Sequence, residues 1–139
     1  MKKIILFTLL VFSKYVIFSQ AILPTNWSFS TVNLPNGWTE SGTNFYTASG
    51  NTPPAMKFDG TGVYLIINVN SSPGDLEYFL TGNGFSGGTF TVEESDFGSV
   101  WTPLRIHTSP PNATYMQFID TPQPTTRFIR FYYTNKVTG

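Results

Sequence analysis

Apolar and polar residues alternate over short stretches of this 139-residue chain, and the alternation predicts β-strands. The clearest case is V-Y-L-I-I-N-V-N, residues 63–70. Successive side chains of a strand point to opposite faces. One face of this segment is therefore predicted to be wholly apolar, formed by Val63, Leu65, Ile67 and Val69.

Gly and Pro interrupt the chain after its first twenty residues, and the segments between them are short and rich in β-branched and aromatic residues. No window carries a sustained helical period with caps, so no helix is expected in that part. About eight strands are predicted, which suits an all-β fold of two packed antiparallel sheets, a β-sandwich. The predicted strands are W-S-F-S-T, T-N-F-Y-T-A, V-Y-L-I-I-N-V-N, L-E-Y-F-L-T, T-F-T-V-E-E, V-W-T-P-L-R-I-H-T, A-T-Y-M-Q-F-I-D and R-F-I-R-F-Y-Y-T-N.

The strand V-W-T-P-L-R-I-H-T contains a proline, Pro103. Proline cannot donate to a β-ladder, so this strand is predicted to lie at a sheet edge or to bulge at that point. Its alternation predicts an apolar face made of Val100, Leu104 and Ile106, with His107 on the opposite face.

The last strand, R-F-I-R-F-Y-Y-T-N, is aromatic on both faces, which is typical of a central strand.

The N-terminal residues indicate a secretion signal. Lys2 and Lys3 precede an apolar run, and Ser19 satisfies the small-residue requirement of a cleavage site. We expect residues 1–19 to form a signal helix that is removed, leaving one domain over residues 20–139. Lys14 leaves the apolar run too short for a membrane span of about 20 residues, although an uncleaved membrane anchor is the alternative.

Composition narrows the classes of function. The predicted mature chain keeps five basic and eight acidic side chains, a formal charge of −3, and the basic residues are scattered. Nucleic acid is therefore not an expected partner, because phosphate binding needs a concentrated basic surface. The chain has no cysteine, so disulfides and thiolate metal sites are excluded. Stability must come from packing, for which 13 Phe, 7 Tyr and 3 Trp supply the side chains.

Three carboxylates, Glu93, Glu94 and Asp96, follow one another in T-V-E-E-S-D-F-G-S-V-W. A glycosidase needs two carboxylates held across the sugar, but Glu93 and Glu94 point to opposite faces of a strand. A partnership of Glu93 with Asp75 or Glu77 stays open. The favoured interpretation is a hairpin turn that displays charge, since Ser95 and Asp96 can bond their own backbone and Gly98 tolerates a positive φ.

Other candidate chemistry is sparse. Calcium takes six to eight oxygen ligands, and loops between strands can supply them. The candidate calcium ligands are Asp59, Asp75, Asp96 and Asp120. No other cofactor is expected.

The single histidine, His107, lacks the G-x-S-x-G context of a serine nucleophile and is interpreted as a half-exposed polar residue.

Aromatic side chains outside the core are the remaining candidate binding groups, because Trp and Tyr rings can stack on sugar rings and their polar tips add hydrogen bonds. The favoured ligand-binding candidates are Trp38, Tyr46 and Trp101. Tyr64 and Tyr132 are further candidates.

The order of several motifs resembles a known family. The motifs are P-P-A-M-K-F-D-G-T-G-V-Y-L, L-E-Y-F-L-T-G-N-G, G-T-F-T-V-E-E-S-D-F-G-S-V-W-T-P-L and R-F-I-R-F-Y-Y. From Trp27 onward the chain is similar to the MAM-like jelly-roll domains of bacterial secreted adhesins and surface proteins, including the cleaved-adhesin and choice-of-anchor groups. Val92, Glu93, Ser95, Trp101 and Leu104 match the family's hairpin motif. Phe97 stands where an Asp is common, which weakens a metal site in that turn.

The resemblance implies a jelly-roll sandwich and a secreted or cell-surface, non-catalytic adhesion or carbohydrate-binding module within a larger protein. Its partners would be glycans or cell-surface proteins. Family members continue with a further strand after the Y-Y segment, so the resemblance also implies a missing final strand and an open sheet edge near Tyr133. Two alternatives remain: a small secreted hydrolase with paired carboxylates, and a structural spacer beside an enzyme.

Overall fold

A computed structural model describes residues 19–29, 33–48 and 50–139, and these residues contain nine β-strands and no helix. The strands are β1 (Trp38–Ser41), β2 (Thr43–Tyr46), β3 (Ala55–Phe58), β4 (Tyr64–Asn68), β5 (Leu76–Leu80), β6 (Thr89–Ser95), β7 (Thr102–His107), β8 (Met116–Asp120) and β9 (Phe128–Asn135). The described part thus holds no helix that could cross a membrane. The predicted signal helix covers residues 1–19, and all of it except Ser19 lies outside the described residues.

The strands form one large sheet and two ribbons, all antiparallel. The large sheet has five strands in the order β1-β4-β9-β6-β7, while β2 pairs with β3 and β5 pairs with β8. Both ribbons pack on the same face of the large sheet, which we call the inner face: Phe58 of β3 and Tyr78 of β5 contact its buried residues. The predicted all-β, two-layer antiparallel sandwich is confirmed, and the jelly-roll connectivity stays a prediction.

The core lies between the two layers. Val69 and Val92 are completely buried, and each fully buried side chain of this kind contributes about 1.5–3 kcal/mol. The predicted inward faces of the β4 and β6 segments are confirmed at Leu65, Ile67, Val69, Phe90 and Val92. The remaining buried apolar residues are Ala21, Phe85, Ile129 and Tyr133.

One predicted strand near the N-terminus was wrong, and two strands there were missed. Residues Trp27–Phe29 are not a strand; instead the Trp27 ring packs against the rings of Trp38 and Phe45. β1 and β3 were not predicted. Each has only four residues and no alternation of buried and exposed positions, so the period-2 signal that identifies strands was missing.

The prediction for the last strand is partly confirmed. β9 is central, paired with β4 on one side and β6 on the other. The prediction of an open edge near Tyr133 was wrong. On one side the Tyr133 N–H donates to Val63 O at 2.9 Å, and on the other side Tyr133 pairs with Phe90 of β6. The edge strands of the sheet are β1 and β7.

Pro103 lies both at an edge and at a bulge, as its chemistry predicted. Val92 of β6 is opposite Arg105, whereas Glu93 is opposite Pro103, so β7 carries one extra residue between them. A one-residue shift exchanges the two faces of a strand. The prediction that Ile106 faces the core was therefore wrong, since Ile106 is 56% exposed and His107 is the buried residue. Val100 was also wrongly assigned to the core, because it lies before the start of β7 and is exposed.

Candidate functional site

The face of the large sheet turned away from the ribbons, the outer face, carries several aromatic and charged side chains. Pairing across the sheet brings Glu93 of β6 opposite Arg130 of β9, and Thr91 opposite Tyr132. Arg130 in turn lies opposite Ile66 of β4. Because alternate residues share a face, these side chains form a continuous surface over three adjacent strands.

Arg130 is the centre of this surface. Its guanidinium carbon lies 4.2 Å from the centroid of the Trp101 ring and 4.4 Å from that of Tyr132. Glu93 holds the same group, with Arg130 Nε donating to Glu93 Oε2 at 2.6 Å and a second nitrogen at 2.5 Å. A planar guanidinium suits both aromatic stacking and a carboxylate fork. We call these four residues the Trp–Arg–Tyr stack with its Glu93 clamp.

A cavity of about 190 Å³ opens beside the stack, between Trp101 and the aromatic ring of Phe128. Its walls are mostly apolar. The lining consists of Ser19, Gly37, Trp38, Thr39, Ile66, Asn68, Phe97, Gly98, Trp101 and Phe128. A small apolar cavity bordered by fixed aromatic rings is the arrangement expected of a site for a flat or ring-shaped ligand.

The turn between β6 and β7 forms one wall of the cavity. Ser95 Oγ accepts a hydrogen bond from the Gly98 N–H at 2.9 Å, and Gly98 has a φ of +73°. A Cβ at Gly98 would lie 3.2 Å from the Phe128 ring, so glycine permits both the conformation and the close approach. Phe97, next to it, is 85% exposed at the cavity rim.

The hairpin interpretation of the acidic segment is confirmed, but its display of charge was wrong for both glutamates. Glu93 is 8% exposed in its clamp. Glu94 points to the opposite side of β6, as predicted, and accepts hydrogen bonds from Thr126 Oγ1 at 2.5 Å and the Gln123 N–H at 2.7 Å. Asp96 alone is exposed. Each glutamate therefore has a structural partner that alternation could not reveal.

The three predicted ligand-binding aromatics do not lie together. Trp101 and Trp38 both line the cavity. The Trp38 side chain also packs on the core, and its buried Nε1 has no hydrogen-bond partner among the described residues. Tyr46 is exposed on the β2–β3 ribbon, where Lys57 Nζ lies 5.2 Å from its ring centroid. The cavity thus unites two of the three candidates and separates them from Tyr46.

The four candidate calcium ligands are dispersed. Asp59 pairs with Lys57 at 2.9 Å, and Lys57 lowers the pKa of its carboxyl group. Asp75 accepts from Thr121 Oγ1 at 2.9 Å, and Asp120 is bound by Arg105. Among the residues that the structure describes, no three His, Asp or Glu side chains gather in a way that could hold a metal ion. Calcium binding stays a prediction.

A second polar cluster lies on the inner face, between β7 and the β5–β8 ribbon. Arg105 Nε and a terminal nitrogen both donate to Asp120, and the Tyr78 hydroxyl lies 3.0 Å from Asp120 Oδ2 and 3.0 Å from His107 Nε2. Burial lowers the pKa of His107, and Arg105 acts in the same direction. Burial, with Asp120 as a second cause, raises the pKa of Tyr78. His107 is therefore a buried, neutral group, and its predicted half-exposed position was wrong.

Sequence reasoning missed the residues that organise the outer face. Arg130 and Phe128 were assigned only to an aromatic strand, and Ile66 was not considered. The available signal was the alternation of R-F-I-R-F-Y-Y, which puts Phe128, Arg130 and Tyr132 on one face. Which strands flank them depends on sheet order, and that order is not encoded in local periodicity.

No family model, characterised protein or solved structure matches this chain. Its function is therefore inferred from its own residues.

Proposed function

We propose that this protein is a non-catalytic carbohydrate-binding module whose binding site is the cavity beside the Trp–Arg–Tyr stack. The observation that carries the proposal is the position of Trp101, whose ring is fixed by Arg130 at 4.2 Å while it also lines an apolar cavity of about 190 Å³. A sugar ring has an apolar C–H face and an edge of hydroxyl groups. An immobilised indole offers a surface on which the apolar C–H face of the sugar can stack. Because the indole is already fixed, it loses no side-chain entropy on binding.

The site suits binding better than hydrolysis. A glycosidase needs one carboxylate kept protonated and one ionised across the sugar. Glu93 is clamped to Arg130. Of the partners considered for it, Asp75 directly precedes β5 and Glu77 lies in β5, which belongs to the other layer. The described residues near the cavity therefore offer an aromatic surface rather than a facing pair of carboxylates.

The proposal includes an extracellular location, for which the support is the basic and apolar pattern of residues 1–19. One small cavity supports only a few contacts, so affinity for a single sugar would be weak. Linking several such modules in a larger surface protein would raise the overall affinity without any new contact.

The test is a binding screen of the secreted protein against a glycan array and insoluble polysaccharides, followed by titration calorimetry on the best ligand. Trp101→Ala should weaken binding about tenfold or more, the effect of losing one or more aromatic contacts worth about 1.4 kcal/mol in total. Phe79→Ala is the matched control, because Phe79 is 49% exposed on the outside of the β5–β8 ribbon.

Tyr46→Ala is a second control, which separates the cavity from the other predicted aromatic. Circular dichroism and thermal unfolding establish that each variant is folded. The proposal is wrong if no glycan binds, or if Trp101→Ala binds as tightly as Phe79→Ala.

A further inference from the structure

The outer-face site holds charged groups but presents almost no net charge. Arg130 and Glu93 are the charged residues of the stack, and their side chains meet at 2.5 Å. The guanidinium also lies close to two aromatic rings, those of Trp101 and Tyr132. A carboxylate or sulfate on a ligand that approached this cation would also meet the Glu93 carboxylate, which offsets the attraction.

The cavity lining itself contains no ionisable side chain among the described residues. Ser19 is the last residue of the predicted signal, and the remaining polar side chains of the lining, Thr39 and Asn68, are hydrogen-bonding but neutral. Moving an unpaired charge into such a mostly apolar cavity is costly, whereas a hydroxyl group needs only one partner. The lining therefore discriminates against an ionised ligand.

One neutral group in the wall has unused hydrogen-bonding capacity. Asn68 is 6% exposed, its Nδ2 donates to Ser19 O at 3.3 Å, and its Oδ1 has no hydrogen-bond partner within the described chain. A buried acceptor without a partner is destabilising. Removal of Ser19 with the predicted signal would also release Asn68 Nδ2, so a ligand hydroxyl bonded to this amide would satisfy groups that the secreted protein leaves without a partner.

The volume limits how much of a ligand can enter. Drug-sized ligands occupy pockets of about 300 Å³ or more, so a cavity of about 190 Å³ accepts a single ring. Further units of a longer ligand would lie along the sheet, over Ile66 and Tyr64, which are half-buried on the same outer face.

From these observations we infer that the ligand is an uncharged sugar, bound through one pyranose ring that stacks on Trp101 and donates a hydroxyl to Asn68, and that Glu93 excludes acidic sugars by neutralising Arg130. This inference rests on the proposed carbohydrate-binding function and specifies its ligand class. Arg130 is a positioning residue here, since it acts through the Trp101 ring.

The experiment compares neutral and uronic-acid oligosaccharides of equal length, using the whole secreted protein and titration calorimetry. The neutral series should bind at least about tenfold more tightly, which corresponds to about 1.4 kcal/mol. Raising the salt concentration from about 0.1 M to about 1 M, which shortens the Debye length from about 10 Å to about 3 Å, should leave neutral binding unchanged.

The decisive variant is Glu93→Gln, which keeps the shape of the clamp and removes its charge. It should raise the affinity for the uronic-acid series relative to the neutral series several-fold in low salt, because Arg130 then carries an uncompensated charge. Glu77→Gln is the matched control: Glu77 is exposed, lies on the β5–β8 ribbon and accepts a hydrogen bond from Gln117.

Acidic oligosaccharides that bind the unmodified protein as tightly as neutral ones would overturn this inference while leaving a carbohydrate-binding function intact. The same conclusion follows if folded Glu93→Gln shows no change in preference. Absence of binding by either series would overturn both proposals together.

Discussion

Two arginine–carboxylate pairs lie on opposite faces of the same sheet and have different surroundings. Arg105 and Asp120 connect β7 to β8, and thus one layer of the sandwich to the other. Arg130 and Glu93 lie on adjacent strands of a single sheet and connect no separate layers. The first pair can stabilise the fold by joining layers, whereas the second arranges a surface whose backbone is already held by the sheet.

Their partners differ accordingly. The inner pair shares Asp120 with Tyr78, and Tyr78 also contacts His107, so four polar side chains satisfy one another in the interior. The outer pair is bordered by aromatic rings, beside a cavity. Hydrogen-bonded interior networks specify packing, while aromatic rings held at an open face are available to a ligand. The surroundings, rather than the ion pair itself, distinguish structural from binding roles.

The largest effect is expected from breaking the inner pair. Asp120→Ala leaves Tyr78 and His107 without their shared network and Arg105 without its carboxylate, so the free energy of unfolding should fall by about 2–3 kcal/mol. This is below the usual loss for a broken buried pair because Arg105 is 38% exposed. Chemical denaturation measures the loss, and sugar binding should be unchanged.

The control for Asp120→Ala is Asp75→Ala, which removes an exposed carboxylate near the same ribbon. Asp75→Ala should change the free energy of unfolding by no more than about 0.5 kcal/mol. Equal destabilisation by the two variants would show that the inner network contributes no more than a surface contact.

A slightly smaller loss of stability, combined with a loss of binding, is expected from the outer pair. Arg130→Gln leaves the mostly buried Glu93 without its cation but with a neutral donor, so the free energy of unfolding should fall by about 2 kcal/mol. Sugar binding should weaken several-fold, because the Trp101 ring loses the planar group against it. Arg130→Lys keeps the charge without the plane, and binding should fall for it as well. A variant that lost stability but bound normally would contradict the distinction between the two pairs.

The smallest effect concerns pH, and it belongs to the inner network alone. The pKa of His107 is lowered in the folded protein, relative to the ordinary value of 6.5, by burial and by Arg105. As pH falls below about 6.5, the unfolded chain takes up this proton first, so the free energy of unfolding should decrease between about pH 7 and pH 5. Asp120, in the same network, acts in the opposite direction and raises the pKa of His107.

Thermal unfolding at several pH values measures this dependence, and His107→Gln should make the profile flatter in that interval. Lys57 lowers the pKa of Asp59 from its ordinary value of 3.8. Asp59 therefore affects the free energy of unfolding only at more acidic pH. An unchanged slope in His107→Gln would contradict the assignment of His107 as a buried neutral group.

Sequence reasoning predicted the fold class and most strands because those depend on local properties: alternation, turn residues and β-branched content. It also predicted that Glu93 and Glu94 face opposite ways. It could not find the Glu93–Arg130 clamp, whose members are 37 positions apart. It also misjudged His107, because the bulge opposite Val92 and Glu93 reverses the faces of β7. Register and strand order depend on the whole sheet, which explains why the outer-face site emerged only from the structure.

The central place of β9 has a consequence for how the protein matures. This strand lies between β4 and β6, yet it is the last of the nine along the chain. During synthesis the other four strands of the large sheet would emerge first and leave a gap in the middle, with exposed backbone groups on both sides. Closure of the sheet is therefore a late event that depends on residues 128–135, and loss of this segment would leave β4 and β6 without their shared partner.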